Sequence, residues 1–377
     1  MVARIFNDPV AWGILAGFAV VFFVLSLIFK ESLKAPGDDS PPTWSTGVWR
    51  GIEALVLAVL GGLMARAFIS ILLGSANDSA GAGLAIGWGF FLIPGIVDTI
   101  PYLMHSHPIL TTPENLLLFA TVVGGMCGAM GGLWRIYSLG LGLIAFPIDV
   151  TWALAGNTVG CLLHMVNIGW GDHASETREN AHHYKSGFGL KSGYAFTQGC
   201  VMSNLSVPSG DNLYSHEMTH VWQNRGFGPM YTLTYLAWMA VWVVPSLFAA
   251  VIKLSFPQIF SGPMDWCYLN NPWETWGYAV QSQDRAQLGD KELVWPAKWV
   301  IAWSIPFFTV TTVLAVLTTV SVWNGAPAPS PKSKQPESKK PESKQQESKP
   351  PAHRPHARAY FDSVSPAVDV DKDRAIG

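Results

Sequence analysis

The residues of this sequence best suited to do chemistry are two histidines and two glutamates. The segment 216–220, His-Glu-Met-Thr-His, places its histidines four positions apart. On a helix that spacing is about one turn, so the rings of His216 and His220 can reach one metal ion. Catalytic zinc commonly takes two His and one Glu as ligands and leaves a further position for water. Glu274, which follows His220 by 54 positions, completes that set, and the sequence predicts one catalytic Zn²⁺.

Glu217, the second glutamate, is predicted to be the general base. A bound Zn²⁺ lowers the pKa of its water ligand to ~7. Glu217 could take a proton from that water and later deliver it to a leaving amine. Tyr278, one helical turn after Glu274, is the first candidate to donate a hydrogen bond to the developing oxyanion. The histidines at 182–183 and Tyr194 are alternatives, although adjacent histidines point apart, which favours a supporting or solvated role for that pair.

Turn and capping residues predict a helix around the histidine motif. Pro-Ser-Gly at 208–210 interrupts the chain, and Asp211 can cap the helix that follows. The helix is expected over 212–225, with Gly226 ending it. The histidine motif then lies in the middle of the helix, as the metal geometry requires.

Glu274 also has a purely structural explanation. Asn271 can serve as the N-cap of a helix, with Pro272 as its first residue. Glu274 would then be the third helical residue, which is the position of a capping-box carboxylate. Metal binding and helix capping are therefore both open for this side chain.

In these residues the chain resembles the gluzincin metallopeptidases, which pair HExxH with a downstream Glu. More narrowly, His-Glu-Met-Thr-His-Val-Trp-Gln at 216–223, Arg-Gly-Phe-Gly-Pro at 225–229 and Asn-Pro-Trp-Glu at 271–274 look like segments of bacterial membrane-associated zinc peptidases. The resemblance spans 193–283, about a quarter of the chain, and implies a zinc metalloendopeptidase. The thermolysin family and the CAAX prenyl proteases carry an acid four residues after the third ligand, where this sequence has Tyr278.

The segment 193–203, which precedes the motif, has the composition of a β-strand. In zincins the strand before the active-site helix often binds substrate as an added edge strand, and the resemblance implies the same role here.

Composition indicates a multipass membrane protein. Charged residues make up only 13% of the chain, and several apolar runs reach the ~20 residues that a helix needs to cross a bilayer. The predicted spans are 10–29, 52–73, 83–104, 115–134, 139–163 and 300–322, with 231–252 as a seventh apolar segment.

The distribution of Lys and Arg predicts the orientation of these spans. With the N-terminus outside, the inner face receives three basic residues between 30 and 50 and four in each of 169–230 and 253–298, as the positive-inside rule requires. The outer face then holds Arg4 and Arg135.

That orientation constrains the segment 231–252. Glu274 and His216 can share an ion only if this segment returns the chain to the same face of the membrane. Pro245 could break it into a re-entrant or interfacial hairpin.

The expected fold class is an α-helical multipass membrane protein with a small α+β zincin-like catalytic region inserted between transmembrane helices. The expected parts are a transmembrane bundle (1–168), a zinc-peptidase region (169–298) that includes 231–252, a final transmembrane helix (299–323) and a disordered tail (324–377). The expected partners are the lipid bilayer and a protein or peptide substrate that could itself be membrane-associated, with no nucleic acid. The expected location is the bacterial cytoplasmic membrane, with the site facing the cytoplasm.

Two other functions stay open: a noncatalytic membrane scaffold or assembly factor, and a transporter or lipid-handling protein that uses intramembrane charges. The charged residues within predicted spans are Glu53, Arg66, Asp98 and Asp149. Structural pairing is the favoured explanation for them, and a polar cavity is the alternative. Gly124, Gly128 and Gly132 form overlapping GxxxG units, which predict close helix packing. The four cysteines show no CxxC spacing, so neither a thiol metal site nor a disulfide framework is indicated.

Overall fold

The computed structural model describes residues 6–28, 43–169, 171–173, 180–190, 194–208, 210–252, 265–288 and 294–325. Most of these residues are helical. In chain order the helices are α1 (Pro9–Ile28), α2 (Trp44–Ser75), α3 (Ala80–Ile86), α4 (Ile93–Leu103), α5 (Pro113–Leu133), α6 (Gly142–Asp149), α7 (Leu154–Asn167), α8 (Asn212–Phe227), α9 (Pro229–Ile252), α10 (Pro272–Gln281) and α11 (Ala297–Gly325). The tail expected to be disordered lies outside the described residues from 326 onward.

Four of the described helices, α1, α2, α5 and α11, are long and apolar enough to cross a membrane. They confirm the coarse prediction of a multipass helical membrane protein. α2 and α5 pack closely through the glycines at 124, 128 and 132, where a Cβ would collide with the backbone of α2 at residues 53–61. The close packing predicted from the GxxxG units is therefore confirmed.

The single span predicted over 83–104 is wrong. α3 passes into a π-helical turn, Gly87–Phe91, and the chain breaks at Leu92, whose φ is +62°. Pro94 lies in the first turn of α4, where it cannot continue the preceding helix. Gly95 packs against Trp88 so closely that a Cβ would lie 2.5 Å from the Trp88 backbone nitrogen. These contacts fold the segment into two short pieces.

The single span predicted over 139–163 is also wrong. α6 ends at Asp149 and α7 begins at Leu154. The Asn157 side chain donates to the Asp149 carbonyl at 2.8 Å, and Arg225 donates two hydrogen bonds to the Asp149 carboxylate, at 2.9 and 2.7 Å. A buried ion pair at the helix end thus holds the break in place.

The charged residues within the predicted spans are all satisfied. Glu53 pairs with Arg50 at 2.9 Å and Arg135 at 3.0 Å, and Arg66 pairs with Asp8 at 2.7 Å. Structural pairing is confirmed for these residues, as for Asp149 and Arg225. The carboxylate of Asp98 accepts hydrogen bonds from the N–H groups of Ile109, Leu110 and Thr111 and from the Thr111 hydroxyl.

The Glu53 contacts also correct the orientation predicted for one loop. Arg50 was expected inside and Arg135 outside, yet both bind Glu53, so they lie at the same end of the bundle. The C-terminal end of α5 also meets the small sheet, because the Trp134 ring lies 4.8 Å from that of His182. The error followed from the span predicted over 83–104, which is not a continuous helix, so two crossings rather than three separate Arg50 from Arg135.

The sheet has four short strands in the order β1-β2-β4-β3. They are β1 (Asp172–His173), β2 (His182–Ser186), β3 (Phe196–Gln198) and β4 (Val201–Ser203). The strand predicted over 193–203 is therefore divided into β3 and β4, which pair antiparallel, while β2 and β4 pair parallel. β3 is an edge strand of this sheet.

α8 and α9 meet at a bend of 116° around Gly228. The bend expected near Pro245 is not found, since α9 continues through that position to Ile252. The chain nevertheless returns beside α9. Trp266 contacts Trp242, with ring centroids 5.6 Å apart, and Trp273 contacts Tyr231, at 5.3 Å. The segment 266–273 therefore runs back along α9 toward α8.

Candidate metal centre

α8 places the histidine motif inside the protein. Asp211 caps the helix by accepting a hydrogen bond from the N–H of Leu213 at 2.7 Å, as predicted. The helix runs two residues further than expected, because Gly228, not Gly226, has the left-handed φ of +53° that ends it. His216, Glu217 and His220 are all buried.

α10 supplies the third member of the cluster, Glu274. Asn271 caps this helix by accepting from the N–H of Trp273 at 3.1 Å, and Pro272 is its first residue. The predicted helix start is therefore confirmed. The Glu274 carboxylate, however, contacts side chains of two other helices, α8 and α9, so capping does not describe its role.

The structure brings His216, His220 and Glu274 together. The Nε2 atoms of the two histidines lie 3.3 and 3.4 Å from Glu274 Oε2, and the potential ligand atoms of all three residues lie within 4.8 Å of one another. Two imidazole nitrogens and one carboxylate oxygen form a donor set that suits Zn²⁺. This trio is the only such group of His, Cys, Asp or Glu among the described residues.

The electrostatics of the trio favour a positive charge at its centre. Burial disfavours ionised Glu274, but the charge of His220 and hydrogen bonds from both histidines outweigh it and hold the pKa of Glu274 well below its usual range. Burial also disfavours a charged His220, but Glu274 raises the pKa of His220 to about 9. Without a metal ion, a proton on His220 would supply that positive charge.

A layer of neutral polar groups surrounds the trio. His216 Nδ1 lies 3.0 Å from Gln281 Oε1, and His220 Nδ1 lies 2.9 Å from Gln223 Oε1. The Tyr235 hydroxyl donates to Glu274 Oε1 at 2.9 Å. Gln223 lies three residues after His220, so its helix position could have pointed to it. Gln281 lies seven residues after Glu274, two turns along the same helix, so it too could have been placed on the face of Glu274; spacing offers no such signal for Tyr235.

A side chain of the sheet binds the carboxylate of Glu217. The Thr197 hydroxyl, on edge strand β3, donates to Glu217 Oε2 at 2.5 Å. α8 is further anchored at its other end by the buried pair of Arg225 and Asp149. The general-base candidate is thus fixed both by its helix and by a contact that the sequence did not predict.

Tyr278, the first candidate for an oxyanion donor, lies beside the trio. The Tyr278 ring packs edge-on against His216, with centroids 4.4 Å apart, and its hydroxyl shares a hydrogen bond with Tyr268. Burial raises the pKa of Tyr278, so the hydroxyl keeps its proton.

The histidines at 182–183 contact other parts of the molecule. The His182 ring contacts that of His164, with centroids 5.2 Å apart, and His183 Nε2 lies 2.5 Å from the Leu205 carbonyl. Tyr194 contributes its carbonyl to Asn204, at 2.8 Å. Tyr278, whose ring contacts His216, is the best placed of the candidates for an oxyanion donor.

Gly277 allows α10 to approach the His216 ring. A Cβ at this position would lie 2.8 Å from His216 Nε2 and 2.9 Å from two ring carbons. We expect Gly277→Ala to displace His216, to destabilise the protein by roughly 1–3 kcal/mol and to weaken metal binding. Thermal unfolding and zinc content of the purified variant measure both effects.

Gly226→Ala is the matched control for this substitution. Gly226 is also helical, and a Cβ there would meet nothing within 4 Å, so alanine should be neutral or stabilising by up to about 1 kcal/mol. Equal zinc content and stability in the two variants would contradict the close approach of α10 to His216.

Comparisons with known protein families, with curated proteins and with solved structures find no match for this chain.

Proposed function

We propose that this protein is an integral-membrane zinc metallopeptidase. The observation that carries the proposal is the convergence of His216, His220 and Glu274 within 4.8 Å, with Glu217 on the same helix as the two histidines. Two His and one Glu are a common protein ligand set of catalytic zinc, which keeps a further position open. When bound there, the ion would act as a Lewis acid toward water and a peptide carbonyl.

Glu217 is the proposed general base. Its negative charge contributes to the raised pKa of His220, a proposed ligand, so the carboxylate would lie within electrostatic reach of a bound ion. Thr197 engages Oε2 of Glu217, and we assign Oε1 to the attacking water. Glu217 takes a proton from this water and delivers it to the leaving amine, so the carboxylate is regenerated in each cycle.

Tyr278 is the proposed donor to the developing oxyanion. Its ring contacts His216, and the raised pKa keeps its hydroxyl protonated for hydrogen bonding. The proposed substrate is a protein or peptide in extended conformation. It would add to the edge of the sheet at β3, whose Thr197 already contacts Glu217.

The proposal is tested by the loss of peptide hydrolysis in Glu217→Gln with zinc content unchanged. The rival transporter hypothesis would depend on the intramembrane acids and would tolerate the loss of Glu217; Glu53 and Asp149 each lie in an ion pair, and Asp98 accepts hydrogen bonds from residues 109–111. A noncatalytic scaffold would not depend on the Glu217 carboxylate.

We place the site on the cytoplasmic face of the bacterial inner membrane. α1, α2 and α5, as three successive crossings, bring Arg50, Arg135 and the sheet to one end of the bundle. With the N-terminus outside, that end of the bundle is at the inner face. Arg135 then lies with the other basic residues on the inner face. This arrangement agrees better with the positive-inside rule than the six-span prediction, which leaves Arg135 outside.

This topology predicts the labelling of single cysteines placed at exposed positions. Cysteines replacing Leu139 and Ser282 should react with membrane-impermeant reagents applied from the cytoplasmic side, and one replacing Ser106 should react from the opposite side. The four native cysteines are buried, so background labelling should be low. Labelling of Leu139→Cys and Ser282→Cys from opposite faces would refute this arrangement of the site.

A further inference from the structure

Each of the two histidines contacts a glutamine amide through Nδ1, while its Nε2 faces Glu274. A metal-bound histidine uses one ring nitrogen for the ion and donates the other N–H to a neighbouring acceptor, which orients the ring. Here the acceptors would be amides, Gln281 for His216 and Gln223 for His220. In many metal sites this acceptor is a carboxylate or a backbone carbonyl, so the choice of two neutral amides has chemical consequences.

Gln223 is oriented by the main chain next to Glu274. Its Nε2 donates to the Trp273 carbonyl at 3.1 Å, and a carbonyl oxygen can only accept. The amide oxygen of Gln223 must therefore face His220, and His220 Nδ1 must carry the hydrogen. Without a metal, His220 Nε2 also carries a proton, which faces Glu274 Oε2 3.4 Å away; when an ion is bound, the Nδ1 hydrogen stays and the Nε2 lone pair is available as a ligand.

The charges in this buried region balance only if the second layer is neutral. A divalent ion carries two positive charges, and the Glu274 and Glu217 carboxylates carry one negative charge each. Besides the two histidines, these carboxylates accept hydrogen bonds from the neutral hydroxyls of Tyr235 and Thr197. A carboxylate in place of Gln223, which is buried, would leave excess negative charge where charge is costly. Gln281 is partly exposed, so a carboxylate there adds negative charge beside His216 at a lower cost.

We propose that Gln223 and Gln281 are positioning residues that hold the two histidines in the Nδ1-protonated tautomer and keep the loaded site electrically neutral. This inference rests on the proposed function, since it concerns the metal of that site. It assigns the glutamines no contact with substrate. Their effect reaches the ion through the basicity and orientation of the histidine rings.

The test compares zinc affinities of the full-length protein in detergent by competition with a chromophoric chelator. Gln281→Glu keeps the acceptor for His216 Nδ1 and adds a negative charge, so it should tighten zinc binding, whereas Gln223→Met and Gln281→Met should weaken it. Changes of this outer layer typically alter metal affinity by roughly 10- to 100-fold. A gain of affinity in Gln281→Glu is a result that damage to the fold would not produce.

A second readout is the visible spectrum of the Co²⁺-substituted protein. Gln281→Glu should shift the cobalt absorption bands, because a more basic His216 changes the ligand field. Gln287→Glu is the matched control: it adds the same charge at an exposed position and should leave both zinc affinity and spectrum unchanged.

The outcomes separate this inference from the proposed function. Wild-type zinc affinity and an unshifted cobalt spectrum in a folded Gln281→Glu would overturn the inference while leaving the zinc site intact. If Gln281→Glu does not fold, an unchanged affinity in folded Gln223→Met overturns it instead. A wild-type protein that binds no metal would reject both proposals.

Discussion

Glu217→Gln is expected to lose nearly all peptide hydrolysis while keeping its full zinc content. Glutamine has almost the same volume as glutamate, and its side-chain oxygen can still accept the hydrogen bond from Thr197. The amide cannot take a proton from water, and general base catalysis of this kind contributes roughly 10²- to 10⁴-fold to the rate. Because His216, His220 and Glu274 are unchanged, the predicted zinc ligands remain.

The measurement uses the purified protein with a complex peptide library, in which new N-termini are counted by mass spectrometry. Glu114→Gln is the matched control, because Glu114 is exposed in the first turn of α5, and it should cleave like the wild type. Undiminished formation of new termini by Glu217→Gln would reject Glu217 as the general base, whatever the zinc content.

The local structure around the site follows from short-range chemistry that can be recognised in the sequence. Asp211 and Asn271 each cap the helix that was predicted to follow them. The spacing of His216 and His220 is sufficient to place both rings on one side of α8. The arrival of Glu274 at these rings was predicted from the needs of a zinc site, because nothing in the spacing alone specifies how α10 packs on α8.

The groups that complete the site come from distant parts of the chain. Thr197 lies on a sheet edge, Tyr235 on α9 and Gln281 at the end of α10, and each meets the motif only through tertiary packing. Position 277 requires glycine because the His216 ring packs directly against it. Capping and periodicity describe single elements, so they carry no information on such contacts.

The errors in the predicted spans have the same origin. Hydropathy measures whether a segment is apolar enough for a membrane, and it does not detect a left-handed residue such as Leu92 or a buried ion pair such as Asp149 with Arg225. The span predicted over 83–104 separates Arg135 from Arg50, although the two side chains meet at Glu53. With two crossings fewer, the predicted face of residues 169–230 is unchanged, and it stays a prediction.

His220→Ala is expected to abolish stoichiometric zinc binding. The substitution removes one of the three proposed protein ligands. It also removes the Nε2 atom that lies 3.4 Å from Glu274 Oε2. A ligand that binds only the folded state stabilises it by about 4 kcal/mol when its free concentration is about 1,000 times Kd. The wild type should therefore unfold at a lower temperature when a strong chelator is added, and His220→Ala should show no such response.

Zinc content by mass spectrometry and thermal unfolding with and without chelator are the two measurements. His107→Ala is the control, since His107 is exposed and its loss should leave zinc content and chelator response at wild-type values. Loss of the fold is distinguished from loss of the metal by comparing His220→Ala with the chelator-treated wild type, because both lack the ion and should show similar helix content. One zinc per chain in His220→Ala, with a wild-type response to chelator, would mean that the ion lies elsewhere, and the trio on α8 and α10 would no longer support a peptidase.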